Sequence, residues 1–152
     1  MPPAVALAAG LLAVAGCAAT PYPGATLGQQ VGSWASSTDF AASLQTLRAD
    51  ARRVARLEAA GDPAALRTGC DVLVNDALSA NQNLPTPDGT LTTVLTAAYQ
   101  AAAAGGRACA EGAGGPAARA RVRGELAAAA ADYVAAQARM DDLGATGAGG
   151  TP

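Results

Sequence analysis

Apolar positions recur at helical spacing from residue 38 to residue 143. Phe40, Leu44, Leu47, Ala51, Val54 and Leu57 alternate steps of three and four, the interval at which side chains share one face of an α-helix. The pattern predicts a helix that opens near Thr38 or Asp39, where Ser36 and Asp39 stand three apart as in a capping box. Gly61 ends it, since glycine accepts the left-handed conformation of a helix terminus. Asp62-Pro63 restarts the chain, with a carboxylate cap and a proline at the one position where a missing N–H costs nothing. Leu66, Cys70, Leu73 and Ala77 form the buried face, flanked by Val74 and Leu78. Asn81-Gln82-Asn83-Leu84-Pro85 stops this second helix, because the residue before a proline avoids helical backbone. Thr86-Pro87-Asp88 repeats the start signal, with the hydroxyl as cap and the acid in the first turn, and Leu91, Leu95, Ala98 and Ala102 carry the third stripe. Gly105-Gly106 weakens that helix and puts Cys109 in a frayed last turn or just past it. After Gly112-Ala113-Gly114-Gly115 a fourth helix begins at Pro116 or Ala117. Val122, Leu126, Ala129, Tyr133, Ala136, Met140 and Leu143 keep the alternation throughout, the strongest periodic signal in the chain.

Four helices on short connections imply an all-α fold, an alanine-rich antiparallel up-and-down four-helix bundle over residues 38–143. Residues 17–37 carry no charge and no sustained period and are expected to form a flexible tether; residues 144–152 are expected to be a disordered tail. Composition narrows the choice further. Hydrophobic residues make up 51% of 152, but 43 of them are alanine, so the core is thin. The absence of isoleucine and an aromatic share of 3% argue against a β fold. A net charge of −2 excludes a basic nucleic-acid binder and a highly charged disordered chain.

Histidine and lysine are absent, so triads, zincin motifs, S-x-x-K sites and phosphate-binding loops are excluded, and no G-x-S-x-G elbow occurs. Catalysis, a metal and a cofactor are therefore not expected. Asp71, Asn75 and Asp76 share one side of the second helix but supply too few oxygens for calcium. Gly112 to Ala117 fits G-x-G-x-x-A, yet a helix stands where a dinucleotide site needs a strand. Arg48, Arg52, Arg53 and Arg56 line the first predicted helix. That stripe suits an anionic partner such as lipid headgroups, or it is a solvated face balanced by Asp50, Glu58 or another helix. Trp34 either enters a membrane interface or packs over the first helix with Phe40, and Tyr99 and Tyr133 fit the rim of the core.

The apolar run Ala4 to Ala15 is too short for a membrane span of about 20 residues and has the size of a signal-peptide core. It ends in Val14-Ala15-Gly16-Cys17, which resembles the bacterial lipobox: an aliphatic residue, two small ones and the thiol. Met1-Pro2-Pro3 lacks the Lys or Arg that usually opens such a segment. The resemblance implies cleavage after residue 16, a diacylglycerol on Cys17, and a mature chain held by its lipid on the extracytoplasmic face of the cell membrane. Ten arginines without lysine, with abundant Ala and Gly, resemble small actinobacterial envelope lipoproteins in style.

An exported chain meets oxidising conditions, so Cys70 and Cys109 are expected to form a disulfide, the alternative being two buried thiols. Closing that loop stabilises the fold by roughly 3 to 4 kcal/mol in the chain-entropy treatment. Measured from the turn at residues 84–88, Cys109 lies farther along than Cys70. A bridge thus requires that the loop project beyond the second helix, or that the chain turn back after Gly105-Gly106. The expected function is a membrane-anchored binding or structural module, with an envelope protein as partner. The alternative is a small-ligand carrier, which needs an interhelical pocket of about 300 Å³ or more.

Overall fold

A computed structural model describes residues 24–112 and 115–145. It has five helices, and no strand occurs among the described residues: α1 (Leu27–Ser37), α2 (Phe40–Ala60), α3 (Pro63–Asn81), α4 (Gly89–Ala110) and α5 (Pro116–Asp142). Residues 1–23, with the proposed signal segment, Cys17 and the front of the expected tether, lie outside the described residues, as do 146–152 of the expected tail.

The first correction concerns the tether, because residues 27–37 are helical. Thr26 and Gln29 form a complete capping box: the Gln29 N–H donates to Thr26 Oγ1 at 3.2 Å, and the Thr26 N–H donates to Gln29 Oε1 at 2.8 Å. Val31 is wholly buried, Trp34 sits 5.4 Å from the Phe40 ring, and Trp34 Nε1 donates to the Asn83 carbonyl at 2.9 Å. Packing on both sides, rather than a long stripe of its own, makes this segment a helix. The box expected at Ser36 and Asp39 does not form. Asp39 instead turns the chain between α1 and α2 with φ 50°, a left-handed conformation that Asp tolerates better than most residues.

The starts and stops of α2 and α3 follow the sequence. Gly61 closes α2 at φ 73°, and Asp62 Oδ1 accepts from the Ala64 and Ala65 N–H groups at 3.0 and 3.1 Å. At α4 the cap moves by two residues: Asp88, not Thr86, accepts the Leu91 N–H, at 2.7 Å. Thr86 holds the loop instead, donating to the Asp88 carbonyl at 2.6 Å while its own N–H reaches Thr92 Oγ1 at 2.9 Å. Residues 144 and 145, expected in the tail, belong to the closure of α5. Gly144 adopts φ 68°, and the Ala145 N–H reaches back to the Met140 carbonyl at 3.0 Å, the Schellman closure of a helix.

Gly105-Gly106 does not weaken α4, which runs unbroken to Ala110. The glycines mark where its neighbours press closest. A Cβ on Gly106 would lie 2.6 Å from Val74 Cγ2 and 3.0 Å from the Cys70 carbonyl oxygen, and one on Gly105 would lie 3.0 Å from Leu126. One turn on, Cys109 is bonded to Cys70 with Cα atoms 5.9 Å apart. This answers the register question. Cys109 stands 20 residues into α4 and Cys70 11 residues from the end of α3, so α4 outruns α3 by about 13 Å at ~1.5 Å per residue. The connection from residue 82 to 88 runs out along that extra length, and α1 fills the space beyond the end of α3.

Each helix packs on the next in sequence: α1 on α2, α2 on α3, α3 on α4 and α4 on α5. Between them lie Leu44, Leu47 and Val54, Leu73 and Ala77, Leu91, Leu95 and Ala102, and Val122, Tyr133 and Ala136, all buried. Leu57, Leu66, Leu126 and Leu143, expected in the stripes, are only half-buried, and Leu78 is exposed.

Two glycine substitutions with the same helix-propensity gain are expected to change stability in opposite directions. Gly124→Ala, at an exposed position of α5 with open space around it, stabilises the protein by roughly 0.5–1 kcal/mol. Gly106→Ala destabilises it by about 1–3 kcal/mol through overpacking against α3. Thermal unfolding of the two variants checks both signs.

Candidate functional site

Leu44, Phe40 and Met140 form the apolar floor of an open cleft of about 550 Å³ bounded by α1, α2 and α5, and Gln45, Arg48 and Gln137 stand at its rim. The cleft follows from packing. Helices α2 to α5 make close seams in chain order, whereas α2 and α5 form no comparable seam, which leaves room for a cleft along that line. Farther along the same line is a hollow of only about 50 Å³, lined by Leu47, Arg48, Ala129 and Tyr133 among others. A second, smaller cleft of about 240 Å³ lies near Glu58, Arg67, Cys109 and Arg119. Of these three, the one with room for a ligand above about 300 Å³ is the cleft bounded by α1, α2 and α5.

Arg48, Arg52, Arg53 and Arg56 are all exposed on α2, and none of them makes an ion pair among the described residues. The acids proposed to balance them point elsewhere. Glu58 faces Arg119 of α5 at 3.8 Å, and Asp50 turns in toward α3. Arg53 is close enough to Asp50 to favour its charged form, and Arg48 lies toward Tyr133. Asp71 and Asn75 are exposed while Asp76 turns to Asp50, so the three polar residues of α3 do not converge.

Two polar constellations were not anticipated from the sequence. Asp50 is buried at the α2–α3 seam, where burial first, and then the neighbouring Asp76 carboxyl, push its pKa up to about 6. Its buried Oδ2 has no hydrogen-bond partner, so nothing there offsets the cost of charging it. Leu47, Asp50 and Val54 are spaced by three and four, so the period itself put Asp50 on the buried face. The second constellation is the forked pair of Asp88 and Arg139, with Nε to Oδ1 at 3.1 Å and Nη2 to Oδ2 at 2.8 Å. Arg139 holds the Asp88 carboxyl below the usual range, and the Leu91 N–H adds to the effect. No local signal announces a contact between residues 51 apart. Burial also raises both tyrosines of the Tyr99–Tyr133 contact, Tyr99 to about 12, and the buried Tyr133 hydroxyl has no hydrogen-bond partner.

Asp50 makes stability depend on pH in an unusual sense for an acid. Its folded-state pKa is raised, so the native state binds the proton more tightly than the unfolded chain, and stability falls as pH rises from about 4 to about 6. Asp88 works oppositely: its contribution is present above the ordinary carboxylate pKa and is lost as pH falls through the depressed native one. Asp50→Asn is expected to flatten the slope between pH 4 and 6 while leaving the acid limb intact. Denaturant midpoints measured against pH check this.

Comparison with protein-family models, with curated proteins and with solved structures yields no match.

Proposed function

We propose that the chain is a lipid-anchored module of the cell envelope, held through Cys17 on the extracytoplasmic face of the membrane, where it binds or scaffolds an envelope protein without catalysis. In this reading α2 to α5 form an antiparallel up-and-down four-helix bundle. Supporting that topology, Leu57 meets Gly69 while Asp50 meets Asp76, Val74 meets Gly106 while Cys70 bonds Cys109, and Gly105 meets Leu126 while Asp88 meets Arg139, each set running in opposite senses along its two helices. The observation that carries the address is the Cys70–Cys109 disulfide, because such bonds persist in oxidising compartments. It joins the lipobox-like Val14-Ala15-Gly16-Cys17 in pointing outside the cytosol. No helix among the described residues is long and apolar enough to cross a membrane, so attachment in this reading rests on the lipid. The arginine stripe is the surface offered to an anionic partner.

A second reading, a small-ligand carrier, is favoured by one observation: the cleft of about 550 Å³ between α1, α2 and α5 exceeds the ~300 Å³ at which ligand pockets begin. The two readings are compatible, since a tethered carrier is also an envelope module.

Cys17→Ser is expected to abolish metabolic labelling with a radioactive fatty acid and to move the protein from the membrane to the soluble fraction. Labelling that survives the substitution overturns the anchor.

A further inference from the structure

We infer that the α1–α2–α5 cleft takes a single-chain anionic amphiphile, with its carboxylate on Arg48 and its hydrocarbon tail along Leu44, Phe40 and Met140. The inference rests on the carrier reading above and specifies its ligand class. The cleft is amphipathic along its length. From Phe40 to Arg48 the α2 wall spans about 12 Å at ~1.5 Å per residue, with Phe40 and Leu44 supplying an apolar floor that ends at the cationic Arg48. Such a shape matches a narrow molecule with one polar head better than a compact polar metabolite.

The head group follows from charge. Arg48 lines the cleft and has no ion pair or hydrogen bond among the described residues. Among the described residues the one acid on the cleft wall is Asp39, which precedes α2 and stands nine residues before Arg48, about 13 Å away, beyond the ~8 Å over which charges act at physiological salt. Arg52, one turn farther on, adds positive potential. A planar carboxylate is the natural partner of an unpaired guanidinium, which offers two parallel donors. A second, independent feature lies beneath. Tyr133 is 4% exposed, lines the small hollow that Arg48 also lines, and carries a buried hydroxyl without a partner. The seam therefore contains an unused hydrogen-bonding group next to an unused cation.

Trp34 is the single tryptophan and packs at a tilt against Phe40, which forms the cleft floor, so its emission reports occupancy. The test is titration of the full chain with decanoate below its micelle concentration, read by Trp34 fluorescence and by calorimetry. Expected is saturable one-to-one binding that Arg48→Gln weakens at least about tenfold, the equivalent of one charge-assisted hydrogen bond. Ala41→Phe, at an exposed position on the cleft wall, is expected to block binding without unfolding the helix. Decyltrimethylammonium, with the same tail and the opposite charge, is expected not to compete. Equal binding of the cationic amphiphile, or an Arg48→Gln variant that binds decanoate normally, overturns the anionic assignment and leaves the carrier reading standing. No saturable binding of either amphiphile overturns both.

Discussion

The close approach of α4 to its two neighbours is the constraint on which the other packing depends. Side-chain size falls along this helix, from Leu91, Leu95 and Tyr99 to Ala102, Ala103, Gly105 and Gly106. Helix separation is set by the side chains at the contact, so α3 and α5 are drawn in where α4 is thin and held apart where it is thick. The glycines cost helix propensity, about 1 kcal/mol each relative to alanine, and the close packing they permit offsets that cost. The disulfide lies one turn beyond them, at the narrow end, where Cys70 and Cys109 are already within bonding reach. A core this rich in alanine buries little area per residue, which makes the covalent link a large part of what holds α3 to α4.

The wide end needs other devices. Because α4 outruns α3, the space past Asn81 must be filled, and α1 fills it with Val31 and Trp34. Three kinds of polar anchor hold this end. Asp88 both caps α4 and receives the fork of Arg139, joining the start of α4 to the end of α5. Thr86 and Thr92 fix the loop that leads there. The α5 terminus closes on its own backbone through Gly144. Gly28 of α1 fits against the Leu143 carbonyl so closely that a Cβ there would overlap it, so the approach of α1 to α5 depends on a missing side chain as well.

Legibility from sequence followed the range of the interaction. The extents of α2, α3 and α5 were readable because caps and periodicity are local: Asp62-Pro63, Gly61 and the seven-position stripe from Val122 to Leu143 each act within a few residues. The pairing of Trp34 with Phe40 was one of two open alternatives, and their rings are in contact. Helix α1 was missed although Thr26-Leu27-Gly28-Gln29 carries a T-x-x-Q signature, because one short apolar face without charge resembles a linker. Gly105-Gly106 looked like a break because propensity says nothing about what lies across the seam. Arg48 was visible as one of four arginines, but which of them meets Met140 and Gln137 depends on how two helices distant in sequence settle against each other.

The same contrast explains why the cleft lies along α2. The seams on α4 are fastened by glycine contacts, a disulfide and the Asp88–Arg139 fork, whereas α2 has the single glycine contact of Leu57 with Gly69 of α3 and neither of the other two. Toward α5 it has one loose ion pair, Glu58 with Arg119 at 3.8 Å, far from the cleft, and exposed pairs of that kind contribute little. Toward α3 it carries Asp50, whose ionisation the site opposes. Apolar contacts of Leu47, Val54 and Leu57 and the tilted contact of Trp34 with Phe40 therefore hold α2 in place. Least fastened of the four long helices, α2 is the wall whose position sets the width of the cleft. At the other side of the cleft α1 leads into α2 through the left-handed residue Asp39, and its Trp34 packs on Phe40, so the α1 wall is set by the same ring contact that seats the start of α2.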